Sequence, residues 1–350
     1  MQEDKLQDAT HNRGFFSEHL KDIVVLIALA LVVYILVEQS VRVYLFGGDA
    51  FSYAKMSSIR STGGSGNLQP SGIDGLVYEL RPGLDTVFKL VPFTTNSRGL
   101  RDKEYSLKKP EGTFRVALVG GSFTMGAGVK IEDTFHSRLE ERLNEEPGGL
   151  KYEFINFGVA GYTMKNKLSV LGHKVLEYGP DLVLFILDGS QFADLKTRTF
   201  TPRVEKLSFF TSYSYKLLKK IKILPGRNKS ALEFVRLHLR RIFLLDNALF
   251  KIAQFSEENS IPVSIVVLDH DYQHNKLGKK IEKEVSKKGN LFFSNTLPFF
   301  RHENFVDYCI YKVDMHPNAE ANRIFAEVIY RDLKNQSLLG KPDPKFTENE

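Results

Sequence analysis

The sequence predicts a three-layer α/β/α domain with a mostly parallel sheet, preceded by one transmembrane helix. Three observations predict it. An uncharged apolar stretch lies close to the N-terminus. From residue 113 onward, short apolar runs alternate with segments of helical periodicity, the pattern of a parallel sheet covered by helices. Glycine, amide or hydroxyl groups follow the runs, where the ligand-facing ends of parallel strands fall.

The apolar stretch is residues 23–37, IVVLIALALVVYILV, in which Tyr34 is the single polar residue. At 1.5 Å per residue it covers about 22 Å, short of a hydrocarbon core roughly 30 Å thick. Apolar character resumes after Glu38-Gln39-Ser40 with Val41, Val43, Tyr44, Leu45 and Phe46. A tilted helix over 22–46 is then long enough to span. A polar tail precedes it and no Ala-x-Ala follows, which favours an uncleaved anchor over a signal peptide. Lys5, Arg13 and Lys21 before the span balance Arg42, Lys55 and Arg60 after it. Charge therefore leaves the topology open. The short tail and the large domain behind the span place that domain outside the cytoplasm as an expectation.

Residues 1–21 read as a polar tail, 22–46 as the anchor and 47–110 as linker and approach segment. Residues 47–75 are rich in Gly and Ser and read as a tether. Residues 76–110 read as short extended pieces against the main domain, which runs over 111–337. Residues 338–350 form a C-terminal tail.

Within the domain, residues 114–119 form an apolar run ending in Gly-Gly, a buried parallel strand. Phe135, Leu139 and Leu143 mark one face of a helix. Residues 152–157 read as a second strand, 164–176 as a helix, 181–187 as a third strand and 261–268 as a fourth. A fifth starts at 290–293, and a helix over 318–333 closes the domain. The stretch 196–250 interrupts the alternation and reads as a basic, largely helical insertion over one sheet edge. Between residues 196 and 241, Lys196, Arg198, Arg203, Lys206, Lys216, Lys219, Lys220, Lys222, Arg227, Lys229, Arg236, Arg240 and Arg241 are opposed only by Glu205 and Glu233, so this part alone more than accounts for the net charge of +6. It suits anionic lipid headgroups or an anionic substrate, and equally a solvated helical face. No nucleic-acid-binding motif is present, and no nucleic-acid partner is expected.

Four strand ends carry chemistry-bearing groups. Ser122 lies in VGGSFTMG after the first strand, between Gly120-Gly121 and Gly126, Gly128. A nucleophilic serine needs a base, an oxyanion site and little steric bulk. A turn that only caps the next helix reads the same way. The stretch lacks the Gly-Lys-Ser/Thr end of a P-loop, the second glycine of an α/β-hydrolase elbow and the spacing of a dinucleotide fingerprint. No cofactor is expected. Gly158 in INFGVAGY follows the second strand, and Asp188-Gly189-Ser190-Gln191 the third. His316 lies in VDMHPN with Asp314 two residues before it and Pro317 read as opening a helix. An acidic neighbour can fix the tautomer of such a histidine. Asp269, His270 and Asp271 form a second acidic-histidine cluster, readable as a metal site or a competing base. No further spacing completes a metal set, and the lone Cys309 excludes a disulfide framework or a cysteine-built zinc site. No metal is expected.

Taken in order, GGSFTMG, NFGVAGY and DMHPNAEAN resemble the blocks of the SGNH/GDSL hydrolase superfamily, with Gly121 where the first block usually has Asp. The approach segment NSRGLRDKEYSLKKPEGTFRV is similar to what precedes the domain in membrane-anchored bacterial members. The resemblance covers about residues 90–195 and 260–335 and implies an SGNH/flavodoxin-like fold. It implies Ser122 as nucleophile, His316 as general base and Asp314 as its orienter. The N–H groups of Ser122 and Gly158 would be oxyanion donors, with Gln191 or Ser190 where the family has Asn. Asp-x-His replaces the commoner Asp-x-x-His. The activity implied is that of a serine esterase or O-acyltransferase. Its substrates would be acyl esters of a membrane lipid, a cell-wall glycan or an exported polysaccharide. A binding or assembly protein on the same fold is the alternative.

Overall fold

The computed structural model describes the backbone over residues 2–59, 66–147, 149–188, 231–311 and 314–340, and side chains from residue 19 of the first helix and residue 244 of the second long helix. The chain divides into two compact units, one beginning with Met1–Tyr53 and one that opens at Ala54.

The first unit carries helix α1, Gln2–Phe46. It starts in the segment read as a polar tail, because nothing in residues 2–21 breaks a helix before the apolar stretch. The region His19–Phe51 contains an 18-residue window of mean hydropathy 2.7, none of it buried.

The second unit is built on five parallel strands: β5 (Thr113–Val119), β6 (Lys151–Asn156), β7 (Leu182–Leu187), β8 (Val263–Val267) and β9 (Leu291–Asn295). Their order is β6-β5-β7-β8-β9, the flavodoxin-like arrangement in which the chain reverses direction across the sheet between its first and third strands. Alternate residues face opposite layers. Ala117, Val119, Val183, Phe185, Leu187 and Ile265 join one core, and Val116, Leu118, Leu182, Leu184, Ile186 and Val266 the other. The first core receives α5 (Met164–His173), α6 (Ala231–Asn259) and α7 (Asn275–Ser286) through Val170, Leu171, Leu245, Leu249, Ile252, Ile281 and Val285. The second receives α4 (Phe135–Glu145) and α8 (Ala319–Asn335) through Phe135, Leu139, Leu143, Phe325, Ile329 and Leu333. The predicted three layers are those observed.

Three stretches differ from the sequence reading. The insertion was drawn to residue 250, yet Leu245, Ala248 and Leu249 are core, so the second half of α6 is the crossover helix between β7 and β8. Residues 196–230 of that insertion lie outside the described residues. The tether is partly folded: α2 (Tyr53–Ser58) precedes β1 (Leu68–Pro70), which pairs antiparallel with β2 (Tyr78–Leu80). A second hairpin, β3 (Asp85–Phe88) and β4 (Val91–Thr94), follows, and Tyr78, Leu80, Phe88 and Phe93 are buried in the first core. Finally, Asp314–Pro317 is a strand, β11, paired antiparallel with β10 (Cys309–Tyr311), and α8 starts only at Ala319. Asn318 is the N-cap, its side chain accepting from Ala321 N–H at 3.0 Å while its own N–H donates to Tyr308 O at 2.9 Å.

His136 on α4 is buried with both ring nitrogens lacking a hydrogen-bond partner. Burial, aided by the charges of Arg101 and Lys103, lowers its pKa from 6.5 to about 3. The unfolded chain takes up this proton first as pH falls, so the group costs folded-state stability progressively from pH 6.5 down to about 3. His136→Leu removes that cost. The stability difference should move in favour of the variant by about 1.4 kcal/mol per pH unit below 6.5. Chemical unfolding of the detergent-solubilised chain at pH 7 and pH 5 checks this, and an equal difference at both would refute it.

Candidate active site

Ser122 opens a single-turn helix, α3 (Ser122–Met125), directly beyond the carboxyl end of β5. The turn ends at Gly126, whose φ of 73° lies in the left-handed region that glycine occupies without strain. Gly126 N–H donates to Phe123 O and Ala127 N–H to Ser122 O, both at 3.1 Å. The Ser122 side chain is partly exposed.

A buried arginine fixes this turn from behind. Arg101 Nη1 donates to Met125 O at 2.8 Å and to Gly126 O, and Nη2 donates to Val129 O at 2.6 Å. The guanidinium lies 4.8 Å from the Phe93 ring centroid. Burial lowers its pKa to about 10, which still leaves it charged near neutrality. Asp102 holds the next strand end: Oδ2 accepts Asn156 N–H at 2.9 Å and Oδ1 accepts Tyr105 O–H at 2.9 Å. Burial raises the Asp102 pKa to about 7 against those hydrogen bonds. Asn156 then links two loops, donating from Nδ2 to Thr124 O at 2.9 Å and accepting Gly158 N–H on Oδ1 at 2.9 Å. The amide expected to face an oxyanion is thus engaged within its own loop.

Asp314 and His316 lie two apart on β11, so both side chains leave the same face of the strand. Asp314 Oδ1 accepts from His316 Nδ1 and also from His316 N–H at 3.2 Å. Asp314 Oδ2 accepts from Lys89 Nζ, which lies 3.1 Å from His316 Nδ1. Burial would raise the Asp314 pKa, but hydrogen bonds and charges from His316 and Lys89 outweigh it and hold the carboxyl well below the usual range. The imidazole meets the Phe123 ring edge-on at 5.6 Å between centroids. The residue next to Ser122 therefore packs on His316, and α3 and β11 are neighbours.

The second acidic-histidine cluster is used differently. Asp269 Oδ1 accepts the N–H groups of His270 and Asp271, and Oδ2 pairs with His274 Nδ1 at 2.7 Å. His270 is buried among Phe123, Phe300, Phe305 and Phe325. Burial lowers its pKa to about 4. Among the described residues no group of three or more His, Cys, Asp or Glu side chains is placed to hold a metal ion.

Of the sequence-derived site residues, the structure pairs His316 with Asp314 and sets Ser122 on the turn that packs against them. Gly158 lies beside that turn with its N–H on Asn156. Ser190 and Gln191 lie outside the described residues, just past the buried Asp188. Sequence reasoning missed Lys89, Arg101, Asp102 and Asn156 as site-building residues. Arg101 and Asp102 stand in the quoted NSRGLRD segment and Asn156 in INFG, so a signal existed for those three.

Sheet order and crossover helices make this a three-layer α/β/α domain with a flavodoxin-like strand order. No family model matches the sequence, and no curated protein does. Solved structures that match it include a two-domain esterase active on acetylated mannans, at 15% identity over 66% of this chain and with a TM-score of 0.42. The match covers 51% of that protein, so the chain spans about half its length. An acetylxylan esterase from Geobacillus stearothermophilus matches at 13% identity, 63% of this chain, 94% of its own and a TM-score of 0.40. A protein described as lipolytic and of the G-D-S-L family, from Desulfitobacterium hafniense, matches at 18% identity, 63% of this chain, 99% of its own and a TM-score of 0.38.

The close approach of two loops makes Gly158 irreplaceable. A Cβ there would lie 2.7 Å from Met125 N, 2.7 Å from Thr124 Cβ and 2.9 Å from Asn156 Oδ1. Gly158→Ala should push α3 away from β6 and lower stability by about 1–3 kcal/mol. Urea unfolding measures the loss, and a midpoint equal to wild type would show that the loops have room to spare.

Proposed function

We propose that this chain is a membrane-anchored serine esterase or O-acyltransferase acting on acyl esters. The observation that carries the reading is the Asp314–His316 pair packed edge-on against Phe123, beside Ser122. Asp314 would hold the proton on His316 Nδ1 and stabilise the imidazolium, and Nε2 would take the Ser122 proton as Oγ attacks the ester carbonyl. The Ser122 N–H would face the tetrahedral oxyanion. Gly158 N–H would join it by turning from Asn156 Oδ1, and Gln191 or Ser190 would supply a side-chain donor. Water gives hydrolysis, and a sugar hydroxyl gives transfer. The apolar stretch of α1 would anchor the chain once through the membrane with the large domain outside the cytoplasm. That placement suits an acyl ester on a membrane lipid, a cell-wall glycan or an exported polysaccharide. Lipid is then also a partner.

One observation favours a second reading, a binding or assembly protein without turnover: the Gly158 amide is already committed to Asn156. Fluorophosphonate labelling separates the two. An esterase labels at Ser122 and loses both labelling and ester turnover in Ser122→Ala while keeping the wild-type circular dichroism spectrum. Asp314→Asn should cost on the order of 10⁴-fold in kcat. A folded wild-type chain that never labels supports the binding protein instead.

A further inference from the structure

Lys89 stands where the sequence gives no reason for it. It and Leu90 form the two-residue connection of the β3–β4 hairpin, with Phe88 opposite Val91. Both have positive φ, 50° and 71°, the signature of a type I′ turn. Such turns favour Asn-Gly, and for Lys-Leu the conformation is strained. The surroundings enforce it: Ser58 at the end of α2 accepts Lys89 N–H on its carbonyl at 2.8 Å and Leu90 N–H on Oγ at 3.0 Å. Strain of this kind is kept where neighbouring structure over-determines it, and such places cluster at functional sites.

The turn delivers the Lys89 side chain, 9% exposed, onto Asp314 Oδ2. Both carboxylate oxygens are thereby engaged, one by the ammonium and the other by the imidazole and its backbone amide. Without the ammonium, Oδ2 would have no partner from Lys89, and the carboxylate could rotate off His316. The same ammonium lies 3.1 Å from His316 Nδ1. Other titratable groups around the pair are Cys309 and Tyr311 on β10, and His270 across the Phe123 ring.

We propose that Lys89 is a positioning residue of the catalytic site: it locks the Asp314 carboxylate in the orientation that holds His316. This rests on the Ser122–His316–Asp314 reading above.

The test uses the full chain in detergent micelles, with fluorophosphonate labelling of Ser122 and turnover of p-nitrophenyl acetate. The variants are Lys89→Met, Lys89→Arg, and Lys89→Asn combined with Leu90→Gly. The combined variant supplies the residues a type I′ turn prefers, so its unfolding midpoint should hold or rise while the ammonium is gone. The Met and Asn-Gly variants should lose about 10- to 100-fold in labelling rate and kcat with KM unchanged. Lys89→Arg keeps a charged donor for Asp314 Oδ2 and should restore most of the labelling rate and kcat, which a merely structural role of the turn would not predict. If wild type labels and the Met and Asn-Gly variants label at the same rate with the same kcat, the role of Lys89 is overturned and the triad stands. If folded wild type never labels, the triad reading fails and the role of Lys89 with it.

Discussion

A parallel strand can be followed by another only after the chain crosses back along the sheet, so every strand of such a sheet ends at the same edge. The rest of this molecule depends on that constraint. It brings the turn after Val119, the loop after Asn156, the buried Asp188 and the Asp269–His270 segment to one rim. The crossover helices bury both faces of the sheet and leave the rim as the place where polar groups can meet solvent. The β10–β11 hairpin adds His316 to that rim by pressing against α3, which starts there.

Holding short loops on such a rim is a problem of backbone carbonyls. A one-turn helix leaves its last carbonyls without intrahelical partners. The chain answers with a side chain that has several donors and no acceptor. Arg101 reaches Met125 O, Gly126 O and Val129 O at once in a buried place, and Gly126 O also accepts Val129 N–H at 3.1 Å. Its neighbour Asp102 has the complementary task, accepting Asn156 N–H where β6 ends. Burial works against both charges, lowering one pKa and raising the other. Their place in one dipeptide sets the two strand ends from a single point of the backbone.

The sheet was legible because buried parallel strands survive in the bare sequence as short apolar runs; within one of them the structure sorts Val116, Leu118 and Ala117, Val119 onto opposite faces as their parity requires. The long apolar stretch before it was equally plain. Ser122, Asp314 and His316 stood out through local motifs. Lys89 did not, because a type I′ turn written as Lys-Leu carries neither the glycine nor the asparagine that announces one. Residues 66–75 read as tether, and 76–101 only as short extended pieces, for a related reason. Their strands are three or four residues long, too short for an alternation to rise above chance, and what makes them part of the domain is contact with the far core. The end of the basic stretch was misplaced because Arg240 and Arg241 precede Leu245 and Leu249 on one continuous helix, so composition changes there while structure does not.

The spacing of Asp314 and His316 ties these points together. In a loop, residues two apart have no fixed relation between their side chains. On an extended strand they share a face, with the intervening residue turned away, and Met315 is accordingly exposed while its neighbours are half-buried. The β10–β11 pairing therefore makes the acid–histidine contact a property of backbone geometry. That geometry uses one carboxylate oxygen and turns the other toward the β3–β4 hairpin. A flexible tether could not keep an ammonium at that oxygen, because ordering a lysine side chain and two left-handed residues costs entropy and strain that only packed surroundings offset. The folding of residues 54–59 and 66–101 onto the domain, with Ser58 gripping the turn and Phe88 and Phe93 in the core, is what holds that contact in place.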